Sequence, residues 1–169
     1  MPTIHWTSFS SIIGPIHVAS TDRGVCKISI PGTTKKEFLV WLQKRFLPGD
    51  IVESPARNRE VIAELNRYFD RKLVKFHTHL HPMGTAFQRT VWNELRKVRY
   101  GTTISYKDLA RRIGHPLAFQ AVGRANGANP LPILIPCHRV IGSNDSLCGY
   151  GAGVKTKEFL LGLEGAILI

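Results

Sequence analysis

The first thirty residues alternate between short apolar runs and turn residues. The apolar runs are Ile12–Ile13, Ile16–Val18 and Val25–Ile30, and the residues between them are rich in Gly, Pro and Asp. Short apolar runs with such breaks are typical of strands joined by tight turns. The pattern predicts a small antiparallel meander.

After the first thirty residues, the apolar positions recur at the spacing of helices. Phe38, Leu42 and Phe46 recur at four-residue intervals, which predicts a helix over residues 34–46, and a similar pattern predicts a second over residues 55–70. Basic residues lie on the outer faces of both, and neither segment carries an evident reactive group. Residues 1–83 are therefore predicted to form an α/β scaffold domain.

Three histidines, His77, His79 and His81, occupy alternate positions just before the predicted domain boundary. Alternate side chains of a strand project to one face, so residues 75–82 are predicted to be a strand with a solvated histidine face. A zinc site is the alternative, with His5 and Cys26 as further candidate ligands, but no fourth ligand is evident. We expect no bound metal.

The pattern changes again after Gly84, and residues 84–169 are predicted to form a second, mostly helical domain. Residues 85–95 read as an amphipathic helix. Ser105 and Asp108 resemble a capping box that starts a helix reaching Ile113. Gly114-His115-Pro116 breaks this helix and residues 118–126 resume it, which is the outline of a helix-turn-helix.

The second helix of this pair is poor in large side chains. Its small residues are Ala121, Gly123, Ala125 and Gly127. Small residues let a helix backbone approach a DNA groove closely, whereas close packing in the protein core is the alternative explanation.

Charge favours a polyanionic partner. The 169 residues are 43% hydrophobic, enough for a core, and 23 Lys and Arg against 12 Asp and Glu give a net charge of +11. Such an excess favours nucleic acid. No apolar run of membrane-spanning length and no signal-peptide pattern is present, so we expect no membrane partner and a cytoplasmic location, or a nuclear one in a eukaryote.

Three cysteines give no disulfide framework, which is typical of a reducing compartment. Cys137 ends an apolar run and is followed by His138 and Arg139. A thiol beside an imidazole and a cation is a candidate nucleophile. A redox pair with Cys148 is a less favoured alternative, because the spacing does not match C-x-x-C.

Several segments together carry a family resemblance. They are Phe87-Gln88-Arg89-Thr90-Val91-Trp92, Ile104-Ser105-Tyr106, Ala121-Val122-Gly123, Asn129-Pro130, Pro136-Cys137-His138-Arg139-Val140 and Gly149-Tyr150-Gly151. This set closely resembles the O6-alkylguanine-DNA alkyltransferases, also called methylated-DNA–protein-cysteine methyltransferases. The likeness is specific over residues 84–165 and weak before them. It implies an α/β fold with a ribonuclease H-like amino-terminal lobe and a carboxy-terminal domain carrying a winged helix-turn-helix.

The resemblance implies roles for five residues. Cys137 would take the alkyl group as a thioether, after His138 removes the thiol proton through a bridging water. Glu164 would orient the other imidazole nitrogen, as in a catalytic triad. Tyr106 would donate a hydrogen bond to the departing purine. Asn129 would brace the active-site turn.

The family resemblance also implies a pocket for the damaged base and an interface with DNA. The pocket would be lined by Pro132, Val140, Tyr150 and Gly151, and the interface would comprise Ser105, Lys107, Gln120, Ala121, Gly123, Arg124, Ala125 and Gly127. Chemistry on O6 requires that the base be flipped out, here from the minor groove. Two departures are evident: Gln120 replaces an arginine that many members place in the vacated gap, and Gly151 replaces a common serine.

The sequence therefore predicts a DNA repair protein that transfers one alkyl group irreversibly from O6 of guanine, or from O4 of thymine, to its own Cys137. The expected partner is double-stranded DNA containing O6-alkylguanine, with no cofactor and a monomeric protein. Three alternatives are a damage-binding module without catalysis, a helix-turn-helix regulator that senses alkylation or oxidation at Cys137, and a thiol hydrolase. The presence of Cys137 argues against the first, chain length against the second, and the lack of an evident oxyanion site against the third.

Overall fold

The computed structural model describes residues 1–168, and the chain divides into two compact units, Met1–Pro82 and Met83–Ile169. The fold is mixed α/β. The first unit holds a four-stranded sheet in the order β3-β2-β1-β4. Its strands are β1 (Thr3–Ser11), β2 (Gly14–Thr21), β3 (Gly24–Ser29) and β4 (Asp50–Glu53). The antiparallel β1–β2 and β2–β3 pairs confirm the predicted meander, and β4, parallel to β1, was not predicted.

Two helices complete the first unit and confirm the predicted ones. Helix α1 (Lys35–Phe46) begins with a capping box, in which the Glu37 N–H donates to Thr34 Oγ1 at 3.2 Å and the Thr34 N–H donates to Glu37 Oε2 at 2.7 Å. This exchange satisfies donors that the first helical turn leaves free. Helix α2 (Arg59–Phe69) follows a 3-10 turn, Pro55–Asn58.

The histidine segment is not a strand, and that prediction is wrong. Its one ladder contact is an isolated bridge from Leu80 to Val25. The N–H groups of His77 and Thr78 instead donate to the Glu64 carboxylate of α2, at 2.8 and 3.1 Å, and are therefore not available for pairing with a strand. Within residues 1–168 there is no group of three or more His, Cys, Asp or Glu side chains arranged to hold a metal ion.

Four helices and a two-stranded sheet form the second unit as far as residue 168. The elements are α3 (Ala86–Leu95), β5 (Ile104–Ser105), α4 (Tyr106–Arg112), α5 (Phe119–Gly127), β6 (Val140–Ile141) and α6 (Val154–Leu163). The three helices predicted in this unit, α3, α4 and α5, are confirmed, and α6 was not predicted. Ser105 Oγ accepts the Asp108 N–H at 3.0 Å as the cap of α4. The parallel pairing of β5 with β6 was not predicted.

Trp92 anchors the core of this unit. Its side chain is buried, and its indole N–H donates to the Ala125 carbonyl of α5 at 2.8 Å. A buried indole needs such an acceptor, so α3 and α5 are held together by both packing and a hydrogen bond. Among residues 1–168, the structure contains no helix with the length and apolarity that a membrane span requires.

Candidate active site

Cys137 begins a 3-10 turn, Cys137–Arg139, at the end of a buried segment. The thiol-bearing residue is 5% exposed. Asn129 holds the preceding loop, because its side chain donates to the Ile135 carbonyl at 2.8 Å and accepts the Leu131 N–H at 2.9 Å. Within this loop Ile133 has a φ of 74°, which a β-branched residue adopts only where its surroundings enforce it. The cysteine is therefore presented by a constrained loop.

Asn126 links this turn to α5. Its Nδ2 atom donates to the Cys137 carbonyl at 3.3 Å, and the side chain is buried. Sequence analysis missed this residue, because an asparagine near the end of a small-residue helix resembles an ordinary polar position.

The two residues after Cys137, His138 and Arg139, form a buried ion-paired cluster with Glu164. His138 Nε2 lies 2.7 Å from Glu164 Oε1, and Arg139 donates to both Glu164 oxygens at 2.8 and 2.9 Å. A third Arg139 bond reaches the Val98 carbonyl at 2.6 Å. Glu164 lies at the end of α6 and accepts charge-assisted hydrogen bonds from both His138 and Arg139.

Electrostatics within this cluster favours a neutral imidazole and an ionised carboxylate. Burial lowers the pKa of His138 below its ordinary value, although the hydrogen bond to Glu164 opposes this shift. Burial alone would raise the pKa of Glu164, but the hydrogen bonds from His138 and Arg139 outweigh it and lower that pKa to about 2. The Nδ1 atom of His138 is buried and makes no hydrogen bond to residues 1–168. One ring nitrogen therefore remains able to accept a proton.

The thiol itself has competing influences. Burial raises the pKa of Cys137, while hydrogen bonds from the Asn129 and Tyr150 side chains and the positive charge of Lys157 oppose the increase. Burial also raises the pKa of Cys26, in the first unit, to about 12. Cys137 thus has two side-chain hydrogen-bond donors and a lysine that favour its thiolate, whereas the groups that oppose the rise at Cys26 are a backbone hydrogen bond and the charge of Lys27.

Lys157 is a further residue that sequence analysis missed. It is fully buried on α6, and its Nζ atom donates to the Val140 carbonyl at 2.5 Å and the Cys148 carbonyl at 3.3 Å. Burial lowers its pKa, and the two thiols of Cys148 and Cys137 act in the opposite direction. In the sequence it looks like one of several helix-surface lysines.

Replacing Lys157 with methionine is expected to raise the pKa of the Cys137 thiol, because it removes the cation that favours the thiolate. The rate at which a small haloacetamide alkylates Cys137, followed by peptide mapping against pH, measures this shift. We expect at least a threefold slower reaction near neutral pH, on the order of half a pKa unit. Lys155→Met, an exposed charge on the same helix, is the control. Equal shifts in both variants would contradict a specific role.

Tyr106 begins α4 beside the same turn. It is half-buried, and its pKa is raised first by burial and then by the Cys148 and Cys137 thiols. A Cβ built on Gly123 of α5 would lie 3.7 Å from the Tyr106 ring, which is ordinary van der Waals contact. The phenol thus lies between the cysteine turn and α5.

The predicted pocket residues differ in exposure. Val140 is fully buried, Pro132 and Tyr150 are half-buried, and Gly151 is exposed. Tyr150 lies near enough to the thiol that its side chain opposes the rise in the pKa of Cys137.

The predicted DNA-contacting residues fall into two groups. Gln120, Arg124 and Gly127 are exposed on one face of α5, and Lys107 is exposed on α4, whereas Ala121, Gly123 and Ser105 are half-buried. Ala125 is 3% exposed, so its methyl group packs in the core and not on the exposed face. For Ala125, the small side chain is therefore explained by close packing in the protein core and not by contact with a DNA groove.

A groove of about 650 Å³ lies along α4 and the loop that follows β6. Its lining includes three cationic side chains, Lys107, Arg111 and Arg112, and two carboxylates, Asp108 and Asp145. The second unit therefore combines a buried thiol, a buried histidine–carboxylate pair and a groove lined by charged side chains. These features are those of a protein with a thiol nucleophile.

Comparison with known proteins agrees with this class. Residues 86–166 match the family model described as 6-O-methylguanine DNA methyltransferase, DNA binding domain. A methylated-DNA–protein-cysteine methyltransferase of Methanosarcina acetivorans is 41% identical over 96% of this chain and 99% of its own length. An inducible protein of that name from Bacillus subtilis is 39% identical, over 96% of this chain and 91% of its own length.

A solved structure extends the likeness to the whole fold. The crystal structure of Mycobacterium tuberculosis OGT in complex with DNA has a TM-score of 0.84 and 36% identity, covering 96% of this chain and 93% of the other. The chain belongs to the methylated-DNA–protein-cysteine methyltransferase family.

Proposed function

We propose that this protein repairs DNA by transferring an alkyl group from O6 of guanine to Sγ of its own Cys137. The observation that carries the proposal is a buried Cys137 followed directly in the chain by His138, whose Nε2 atom lies 2.7 Å from Oε1 of the buried Glu164. Its full-length relatives are named methylated-DNA–protein-cysteine methyltransferases, which supports the same reaction.

The chemistry follows from the protonation states. Neutral His138 takes the Cys137 proton through a water, and Glu164 stabilises the resulting imidazolium. The thiolate attacks the alkyl carbon, the S–C bond forms as the C–O6 bond breaks, and the bonding electrons move to the guanine oxygen. Tyr106 donates a hydrogen bond to the purine as this charge develops. Asn129 holds the turn in place.

Product chemistry makes the reaction stoichiometric. A thioether at Cys137 offers no easy hydrolytic route back to the thiol, so one protein accepts one alkyl group. The reaction as written balances without a cofactor or metal ion, and a monomer contains every residue that it uses. Pro132, Val140, Tyr150 and Gly151 would line the base pocket, in which O4-alkylthymine offers a similar alkyl ether.

DNA is the proposed partner, bound through α4, the following turn and α5 as a helix-turn-helix in the minor groove. The loop after β6 would serve as its wing, and the first unit would be the ribonuclease H-like lobe of the family. The exposed Gln120 and Arg124 lie on the face that would meet DNA, and Lys107 would add a phosphate contact. Such contacts carry no base preference, as repair requires.

The decisive experiment incubates the protein with a duplex oligonucleotide containing O6-methylguanine and measures its intact mass. We expect a gain of one methylene, mapped to the peptide that contains Cys137. The peptides with Cys26 and Cys148 serve as internal controls and should remain unmodified. Tight binding to the lesion without a mass gain would instead establish a damage-binding protein.

Tyr106→Phe is expected to slow the transfer by about tenfold to a hundredfold, because the departing purine loses one hydrogen-bond donor. The variant keeps the ring, so the affinity for lesion DNA should stay within about threefold. Single-turnover rates of thioether formation measure the first quantity, and fluorescence anisotropy of labelled DNA measures the second. An unchanged rate would show that the hydroxyl does not act on the leaving group.

A further inference from the structure

Two cations pack against one indole ring in the first unit. Lys27 Nζ lies 4.6 Å from the ring centroid of Trp41, and the guanidinium carbon of Arg45 lies 4.9 Å from the same centroid. Lys27 belongs to β3, an edge strand of the sheet, whereas Trp41 and Arg45 lie one turn apart on α1. These three residues, the Trp41 cluster, take no part in the proposed alkyl transfer.

The indole ring holds both cations in one place. Trp41 is half-buried, and its ring packs against Phe46, with the ring centroids 6.5 Å apart. The face of an indole attracts a cation by about 0.5–1 kcal/mol at an exposed site. Lys27 and Arg45 are both near the same ring, so their charges cannot be farther apart than the sum of their two distances from its centre.

These two cations have no anionic partner among residues 1–168. None of the ion pairs within that range includes Lys27 or Arg45. Burial lowers the pKa of Lys27 to about 8, the charge of Arg45 acts in the same direction, and Cys26 opposes the shift. Two like charges held together repel each other, and an anion bound to both would relieve that repulsion. The Trp41 cluster is therefore suited to bind an anion.

The donors of the cluster and the charge of the first unit favour a phosphate group of nucleic acid. A guanidinium donates through a fork that matches phosphate oxygens, and an ammonium binds phosphate as a point charge. Residues 1–82 carry 12 Lys and Arg against 7 Asp and Glu, so the unit without Cys137 is itself basic. A basic surface is attracted to the regularly spaced phosphates of nucleic acid.

We propose that the Trp41 cluster is a second nucleic-acid contact of this protein, at which Lys27 and Arg45 bind one backbone phosphate. This inference goes beyond the proposed function, because it needs neither a damaged base nor Cys137. A phosphate contact carries no base information, so it increases the affinity for DNA of any sequence.

The test measures how the affinity for an undamaged duplex depends on salt concentration. Arg45→Gln removes an exposed charge, and Lys27→Met removes the other charge while keeping an unbranched side chain beside Trp41. Lys44→Gln is the matched control, because Lys44 is exposed next to Arg45 on α1 and belongs to no cation–ring pair within residues 1–168. Thermal unfolding checks that each variant is folded, and Arg45→Gln, at an exposed position, decides the test if Lys27→Met is not.

We expect Arg45→Gln and Lys27→Met each to bind the duplex about fivefold to tenfold more weakly near 0.1 M salt. The slope of the logarithm of affinity against the logarithm of salt concentration should become shallower by about 0.9 in each, because one phosphate contact is lost. Lys44→Gln should keep the wild-type slope. Equal slopes for the wild type and Arg45→Gln, or an equal loss in Lys44→Gln, would overturn the proposal.

A second readout follows the charge of Lys27. A bound phosphate favours the ammonium form, so the wild-type affinity for DNA should fall as the pH rises through about 8, and Lys27→Met should show less of this fall. Weaker binding of poly-glutamate by both variants, with unchanged DNA slopes, would overturn the proposal in favour of an acidic protein partner. Failure of the proposed function looks different, because the wild type would then gain no methylene from O6-methylguanine DNA while the slopes still differed.

Discussion

Cys137→Ala is expected to abolish alkyl transfer completely while leaving lesion binding intact. Neither remaining cysteine provides a substitute. Cys26 is fully buried in the first unit, and burial raises its pKa to about 12. Cys148 lies outside the Cys137–Arg139 turn, and its carbonyl accepts a hydrogen bond from Lys157. No other thiol of the chain lies on the Cys137–Arg139 turn in front of His138. Removing one sulfur atom from a buried site costs about 1 kcal/mol, which a folded domain tolerates.

Two measurements check this prediction. Intact mass after incubation with O6-methylguanine DNA should show no gain for the variant, and anisotropy titration should give an affinity within about threefold of wild type, since the exposed face of α5 is unaltered. Cys148→Ala is the matched control and should still gain one methylene. A methylated Cys137→Ala protein would place the acceptor elsewhere.

Glu164→Gln is expected to destabilise the protein by about 3–5 kcal/mol and to slow transfer severely. The substitution leaves the Arg139 guanidinium buried opposite a neutral amide, and breaking one side of a buried ion pair is costly in this way. It also replaces one of the two carboxylate oxygens that accept from His138 and Arg139 with an NH2 donor, so the two partners can no longer both be satisfied. Loss of a positioned base costs roughly a hundredfold to ten-thousandfold in rate.

The pH dependence of stability gives an independent check. The pKa of Glu164 in the folded protein is about 2, below its ordinary value of 4.5, so its contribution is complete above pH 4.5 and is lost as pH falls toward 2. That difference corresponds to about 3 kcal/mol. Urea unfolding from pH 7 to pH 3 should show about 2 kcal/mol of this loss in the wild type and a flatter profile in Glu164→Gln.

Glu158→Gln provides the control on the same helix, because Glu158 is exposed. Its free energy of unfolding should stay within about 0.5 kcal/mol of wild type. If Glu164→Gln were as stable as this control, the ion-paired cluster would not stabilise the fold. Because the variant is expected to be less stable than the wild type, the transfer rates of the two proteins should be compared at equal fractions of folded protein.

Local signals predicted most of the helices. Thr34 and Glu37, or Ser105 before α4, supply their own caps, so the chemistry that starts each helix is visible within four residues. The antiparallel meander was also readable, because its turns bring consecutive strands together. The family motifs placed Cys137, His138 and Glu164 together, and the structure joins the last two by a hydrogen bond.

Long-range partners explain what the sequence did not predict. The short strand β4 exists through its pairing with β1, a partner more than forty residues earlier, and the histidine segment is shaped by Glu64. Lys157 and Asn126 were missed for the same reason. Each is buried and donates to a carbonyl that is distant in sequence, Val140 for Lys157 and Cys137 for Asn126. No local sequence pattern distinguishes such a buried lysine or asparagine from an exposed one.

The short ladder between β5 and β6 joins the cysteine turn to the start of α4. Ile104 pairs with Val140 and Ser105 with Ile141. Because paired segments tend to open together, we expect the amide hydrogens of both segments to exchange with solvent at similar rates. An opening that exposed the thiol to stray electrophiles would then also loosen the start of the helix proposed to hold DNA.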